Sequence, residues 1–349
     1  MGADIKIKTA TITMSHGAGG KAMHKLIDEI MLSAFNSYSN GLVEQEDQAR
    51  VDLAELQLMG NKLAFTTDSY VVDPLFFPGG DIGKLAVTGT INDLAVGGAK
   101  PLYLSCGFIL EEGLPIDTLK KVVDSMQETA SKAGVKIVTG DTKVVPKGAC
   151  DKIFINTSGI GVISAKVNIQ ANRAESDDVV IVNGYVGDHG AAIVDARGEL
   201  ALDIDIQTDC EALHELVASM LSVCPDIHCM RDATRGGLIT VLNEFAAASG
   251  CNIEVEESSI PVRDEVRGVC EILGLDPLYL ANEGKLVAVI PNQYAQAVLE
   301  AMQTLPCGQH ASVIGKVVAS ERSQVILNTR FGTRRIADVL VGDQLPRIC

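Results

Sequence analysis

Short apolar runs and helical periods take turns along this chain, and that alternation limits it to an α/β or α+β fold. Lys62 to Asp68 reads as a strand ending in a carboxylate, and about Ile82 to Val96 as a helix. Small residues in that helix (Gly83, Ala86, Gly89, Ala95) allow close packing. Leu102 to Leu110 reads as a strand and Pro115 to Lys132 as an amphipathic helix. Val135 to Val138 is a short strand running into Thr139-Gly140-Asp141-Thr142-Lys143, and Ile153 to Ile163 is another strand. The text turns polar and aperiodic from Asn168 to Asp178, which places a domain boundary there. The alternation then resumes: strand 179–182, a helix opened by Gly187-Asp188-His189-Gly190, helix 210–223 and a helix through Ala248. Strand 253–255, helix 262–273, strand 286–290, helix 293–303 and strands near 312–318 and 324–328 follow. At 349 residues two domains are expected, 1–168 and 169–332, with a tail over 333–349. Before the first domain's strands, residues 5–13 alternate like a strand and residues 36–61 read as loop.

Composition removes several classes of function. A net charge of −16 disfavours nucleic acid as a partner, since such binding rests on clustered Lys and Arg. No apolar run reaches a membrane span, and the opening residues lack the pattern of a signal peptide. A cytoplasmic protein is expected, and its nine scattered cysteines are expected as thiols. The same acidity means that a polyphosphate ligand would need a divalent cation between the anions.

The chemistry-bearing residues fall at turns. Ser15-His16-Gly17-Ala18-Gly19-Gly20-Lys21 opens a helical period through Ala34, and a glycine-rich turn at a helix start suits phosphate. The Walker spacing is absent, so it is not a P-loop; a plain tight turn is the alternative reading. Asp68, Asp93, Asp141 and Asp232 sit at strand ends or glycine turns beside Thr, Asn or Arg. Each alone could be a cap or turn residue, but together with the glycine turn they suggest a magnesium–nucleotide site. His16 and His189 lie in glycine turns and could touch phosphate or simply bond their own turn. Cys210 with His214, and Cys224 with His228 and Cys229, match no common zinc spacing. The chain closes on Pro346-Arg347-Ile348-Cys349, after a stretch in which Gly342 and Pro346 argue against regular structure. On position alone Cys349 is either an incidental packing thiol or a reactive one.

Six stretches then occur in a fixed order: His16-Gly17-Ala18-Gly19-Gly20, Thr67-Asp68-Ser69, Asn92-Asp93-Leu94-Ala95-Val96-Gly97-Gly98, Thr139-Gly140-Asp141-Thr142-Lys143, Asp232-Ala233-Thr234-Arg235-Gly236-Gly237 and Ala281-Asn282-Glu283-Gly284-Lys285. With the terminal Pro-Arg-Ile-Cys they resemble, over essentially the whole chain, the HypE family of hydrogenase maturation proteins, which are carbamoyl dehydratases. The Asn-Asp and Asp-Ala-Thr-Arg-Gly-Gly stretches resemble the wider aminoimidazole-ribonucleotide synthetase superfamily. The alanine at position 18, where serine is common, is a minor departure.

The resemblance implies a two-domain fold whose N-terminal sheet forms a homodimer interface, with ATP and Mg2+ bound between the domains. It implies that a HypF carbamoyltransferase loads Cys349, and that cyanide passes to iron on a HypC–HypD complex. It assigns Lys143 to charge stabilisation and Glu283 to the base. Asp68, Asp93 and Asp232 become metal ligands, with Asp141 a fourth; His16, Gly17, Gly19, Gly20, Thr142 and Asn92 become nucleotide contacts. The rival readings are another ATP-dependent enzyme of the superfamily, which would not need the terminal cysteine, and a non-enzymatic scaffold bound through its C-terminal peptide.

Overall fold

The structure is a computed structural model that describes residues 10–35, 48–198, 205–342, 345 and 347–349. The strand expected over 5–13 therefore lies mostly outside the described residues, and only a bridge from Thr11 to Pro115 is seen at its end. Two sheets organise the rest. The first has four strands: β1 (Lys62–Tyr70), β2 (Ala99–Glu111), β3 (Lys136–Val145) and β4 (Ile153–Ile163), in the order β1-β4-β2-β3. Only the β2–β3 pair is parallel.

One face of this sheet is covered by helices α1 (Ile82–Val96) and α2 (Ile116–Lys132). Helix α1 is apolar nearly all round because it is buried on every side. Asp81 caps it, accepting N–H bonds from Gly83 at 2.7 Å and Lys84 at 3.2 Å, and Ser125 of α2 donates to the same carboxylate at 2.6 Å. Its glycines are steric necessities. A Cβ on Gly89 would lie 2.3 Å from the Tyr70 hydroxyl, and one on Gly83 would lie 2.3 Å from the Val122 carbonyl. The other sheet face carries Leu63, Phe65 and Ile109, with Phe65 68% exposed.

The second sheet has seven strands: β5 (Val179–Val182), β6 (Cys229–Asp232), β7 (Asn252–Glu256), β8 (Leu286–Ile290), β9 (Ser312–Val318), β10 (Val325–Asn328) and β11 (Arg334–Ile336). Their order is β11-β10-β7-β9-β5-β8-β6, parallel only between β10 and β7. Helices α3 (Asp188–Arg197), α4 (His214–Val223), α5 (Gly237–Ser249), α6 (Asp264–Leu273) and α7 (Ala295–Gln303) pack around it. Strand β8, Leu-Val-Ala-Val-Ile, is buried at all five positions, as a central strand requires.

Several expectations needed correction. Residues 139–143 are part of strand β3, because pairing with β2 continues through Asp141 and Lys143 despite the glycine. Leu53–Gln57 forms a short helix capped by Asp52 inside the expected loop 36–61, of which 36–47 are outside the described residues. Helix α4 begins at His214, since Cys210 to Leu213 are tied down by Thr208 and Asn92 instead. Strand β6 was not expected. Its four residues, Cys-Met-Arg-Asp, are held by antiparallel pairing to β8 rather than by local pattern. Strand β11 lies inside the range 333–349 read as tail.

Candidate functional site

Helix α1 packs against both β6 and α4, and so carries Asn92 and Asp93 to the junction of the two sheets. A cleft of about 540 Å³ opens there, lined by Phe65, Thr66, Asp93, Arg231, Asp232 and Arg235 among others. Thr66 donates to Asp93 at 2.8 Å. Asp93 is raised above the usual carboxylate range by burial, by Asp68 and despite Thr66 and Arg231. Burial, with Asp93 and Asp68 nearby, pushes Asp232 up to about 7. Asp68 thus raises the proton affinity of Asp93, and both raise that of Asp232.

Glu283 is buried close enough to Asp232, Asp68 and Asp93 to feel their charges. It is 3% exposed, and its Oε1 has no hydrogen-bond partner. Burial, then Asp209, Asp232, Asp68 and Asp93, raise it well above its ordinary value. Its backbone is fixed from two sides. Asp209 accepts the N–H groups of Glu283 at 3.0 Å and Gly284 at 3.2 Å, and also the Lys285 ammonium at 3.0 Å. The Asn92 amide donates to the Glu283 carbonyl at 3.2 Å and to the Glu211 carbonyl at 3.0 Å, and accepts from Leu213 N–H at 2.8 Å. Asn92 was expected to contact the nucleotide. Its amide is instead consumed by backbone, so it positions the Glu283 loop. Gly284 permits the approach, because a Cβ there would lie 1.9 Å from the Asp209 carbonyl.

The tail is seated within its own chain, and Arg235 of the cleft lining reaches its sulfur. Val71 and Asp73, just beyond β1, donate their N–H groups to the carbonyls of Cys349 at 3.1 Å and Arg347 at 3.3 Å. Arg347 returns a bond to the Val71 carbonyl at 3.0 Å and pairs with Asp151 at 2.5 Å. Arg197 donates to the Arg347 carbonyl at 3.0 Å and to the Asp73 carbonyl at 3.1 Å. Ile348 is 4% exposed and joins the first sheet's core, which contributes about 1.5–3 kcal/mol. Arg235 donates to the Cys349 Sγ at 3.4 Å. Burial first, with Glu283 and Asp68 adding and Arg235 opposing, pushes the thiol up to about 12. Glu283 and Asp68 are therefore close enough to Cys349 to bear on its charge, and Glu283 in turn feels Asp68, Asp93 and Asp232.

The remaining candidates sit elsewhere. Lys143 and Asp141 pair with each other at 2.9 Å on β3, the opposite edge strand from β1. Lys143 and the Thr142 N–H hold Asp141 below its usual range, against the effect of partial burial. The ladder steps Asp68–Thr157–Cys106–Gly140 put three strand spacings, roughly 14 Å, between the two edges. Register also places Lys143 with Ile109 and Phe154 on the uncovered face, opposite to the one Asp68 shares with Thr157. Asp141 is thus not a neighbour of the other three aspartates in this chain.

The glycine turn goes with Lys143. A Cβ on Gly17 would lie 2.9 Å from that of Val144, so the turn lies against β3. Gly19 has a φ of +73°, and around both Gly19 and Gly20 the space is open. His16 is buried, and its Nδ1 accepts from the Thr13 N–H at 3.0 Å. The Thr142 hydroxyl bonds to the Met31 sulfur at 3.4 Å and points into the core. Lys143 with the glycine turn, and Asp68 with Cys349, thus lie at opposite edges of one sheet.

Arg235 escaped the sequence reading, since it stands in a quoted motif without a role. His189, expected either to touch phosphate or to bond its own turn, meets the Ile348 carbonyl through Nε2 at 2.8 Å. The zinc alternatives are occupied otherwise, with Cys210 bonded to Thr88 at 3.0 Å and His228 to Asp178 at 2.7 Å.

Comparison with known proteins identifies the family. The AIR synthase related protein N-terminal domain matches residues 45–163 and the corresponding C-terminal domain matches 175–328. Carbamoyl dehydratase HypE of Rhodobacter capsulatus is 54% identical over 343 residues, covering 98% of this chain and 99% of the relative. A crystal structure of hydrogenase maturation protein HypE in complex with ATP superposes with a TM-score of 0.91 at 47% identity, over 97% of this chain and 100% of that one. The HypE chain of a HypE–HypF complex matches with a TM-score of 0.78 at 47% identity, over 90% and 99% of the two chains. Two sheets meeting at a carboxylate cleft, with a terminal cysteine against one of its arginines, are thus features of a chain that belongs to the HypE family of carbamoyl dehydratases within the AIR synthase related proteins.

Proposed function

We propose that this chain uses ATP to dehydrate a carbamoyl group carried on Cys349 to a thiocyanate, the source of cyanide ligands for the iron of nickel–iron hydrogenase. One observation carries the reading: the Cys349 sulfur meets Arg235 of the carboxylate cleft, with the unpartnered Glu283 carboxyl among its near charges. A thiocarbamate does not lose water readily, since oxide is a poor leaving group. Transfer of the ATP γ-phosphoryl to the carbamoyl oxygen forms an O–P bond and releases ADP. Loss of both N–H protons and cleavage of the C–O bond then give S–C≡N and inorganic phosphate. The balance is thiocarbamate plus ATP to thiocyanate, ADP, phosphate and one proton.

Glu283 is the group placed to take a proton from nitrogen, and its lack of a partner leaves its oxygen available. Arg235 contacts the sulfur and supplies positive charge next to the reacting carbon. One or two of Asp68, Asp93 and Asp232, together with phosphate oxygens, would hold a magnesium ion, which when bound supplies charge to the phosphate chain. Among the described residues no three His, Cys, Asp or Glu side chains converge to hold an ion unaided. A magnesium ion bound by one or two carboxylates together with phosphate oxygens fits that donor set.

A HypF carbamoyltransferase is the loading partner, and a HypC–HypD complex the acceptor. Burial of the seated tail disfavours the thiolate that loading requires, and the backbone bond from Val71 to Cys349 holds the residue in place, so loading is assigned to a tail swung outward. Replacing Cys349 by Ala should leave ATP binding intact and abolish carbamoyl uptake in the presence of the loading enzyme. Loss of ATP binding would make the tail a structural element instead. Among the described residues no helix is long and apolar enough to cross a membrane, in keeping with work in the cytoplasm.

The separation of Lys143 and the glycine turn from Asp68 and Cys349 argues for a homodimer. The uncovered sheet face with Leu63, Phe65 and Ile109 offers the apolar surface for an isologous contact between copies. Such a contact brings the β3 edge of one copy, with Lys143 and the glycine turn, toward the β1 edge and Cys349 of the other. Coexpressed Lys143→Ala and Glu283→Gln chains test this. Random pairing should restore about a quarter of wild-type dehydration, because half of the dimers hold one intact site. No restoration above the separate variants would place Lys143 and Glu283 in one chain's site.

A further inference from the structure

We infer that His189 is a positioning residue that couples the seated tail to the loop holding Glu283; this rests on the reading of Cys349 as carrier and Glu283 as base. His189 is fully buried, the second residue of helix α3, and packs edge-on against Phe77 with ring centroids 5.6 Å apart. A carbonyl only accepts, so the 2.8 Å contact to the Ile348 carbonyl places the ring proton on Nε2. Nδ1 is then an acceptor for the Thr208 hydroxyl at 2.7 Å. Thr208 in turn accepts the Cys210 N–H at 3.1 Å. Between Thr208 and Cys210 stands Asp209, whose carboxylate receives the backbone of Glu283 and Gly284 and the Lys285 ammonium.

A continuous polar path therefore runs from the residue before Cys349, through one imidazole, to the segment that fixes Glu283. The consequence is directional. Tail entry gives the Nε2–H of His189 a protein acceptor, the Ile348 carbonyl. That occupancy fixes the tautomer, directs the Thr208 hydroxyl and holds the 208–210 segment against Glu283. The cleft is thus assembled by its own cargo arm, and carbamoyl loading, which happens outside the cleft, needs none of it.

The test compares three full-length variants. His189→Gln retains a donor near the Nε2 position; His189→Leu removes it; Thr208→Val leaves the imidazole but removes its donor. Alkylation of Cys349 by limiting maleimide, read from the mass of the C-terminal peptide, should be roughly five- to tenfold faster in the Leu variant than in wild type, as expected for one lost buried hydrogen bond. The Leu variant should load carbamoyl at the wild-type rate and dehydrate it roughly tenfold more slowly in a single turnover. The Gln variant should recover most of both losses. Should the Leu variant fail to fold, Thr208→Val carries the test, with the same direction and a smaller effect. Wild-type alkylation and dehydration rates in the Leu variant, or in Thr208→Val where it stands in, overturn the proposal. A wild-type chain that accepts no carbamoyl overturns the functional reading instead, and the alkylation comparison still decides the role of His189.

Discussion

Glu283→Gln should accept carbamoyl at Cys349 at the wild-type rate and then stall, with dehydration slowed a hundred- to ten-thousandfold, the usual worth of a placed general base. The substitution keeps the shape of the side chain and the backbone bonds from Asp209 and Asn92, so the loop should stay in place. Burial and four neighbouring carboxylates stabilise the protonated form of Glu283. A base acts from its ionised form, so the wild-type rate should rise with pH through this raised range. The Gln variant should lose that rise. Quenched single-turnover reactions followed by the C-terminal peptide mass would measure both. Normal thiocyanate formation by the variant would remove Glu283 from the chemistry.

Asp232→Asn is expected to move stability and activity in opposite directions. The folded pKa of Asp232, about 7, lies above the unfolded value of 3.8. The native state then binds the extra proton between these values, so its stability is full below about pH 4 and falls as pH rises toward 7. The nominal difference of about 3 pKa units corresponds to about 4 kcal/mol, and because Asp232 is only half-buried by surface exposure this is discounted to about 2 kcal/mol. Without nucleotide or divalent cation at pH 8, the Asn variant should therefore melt roughly 4–8 °C higher than wild type. The same variant should lose most of its magnesium-dependent ATP use. A melting temperature at or below wild type would mean that Asp232 is already neutralised by a partner in the folded chain.

Much of this molecule is legible in its sequence, and the misses share a cause. Helix α1 and strands β4, β5, β8 and β9 follow from apolar periodicity, since burial of those residues is what the pattern encodes. Strand β6 has no such pattern and exists because β8 offers it a ladder. At the site, Cys349, Glu283 and three of the aspartates were named as candidates, and the fold brings Cys349 and the three aspartates within reach of the Glu283 charge. What a motif cannot say is which atom of a residue is already spent. Asn92 and Thr142 look like ligand contacts until the loop and Met31 claim their side chains. His189 meets the tail and Arg235 meets its sulfur across separations of 159 and 114 residues, which no local spacing reports. Strand order is equally hidden. The motifs put Asp141 and Lys143 in the site without saying in which copy of the chain, and β3 proves to be the far edge of the sheet from β1.

The central claim is that Cys349 is a covalent carrier on which dehydration occurs, and the mass of the C-terminal peptide tests it most directly. The full-length protein is incubated with a HypF loading system, then with ATP and magnesium, and sampled over time. The account predicts first the gain of one carbamoyl group at Cys349, then, only after ATP is added, the loss of one water from that same peptide. ATP hydrolysis with the Cys349 peptide unchanged throughout would contradict it.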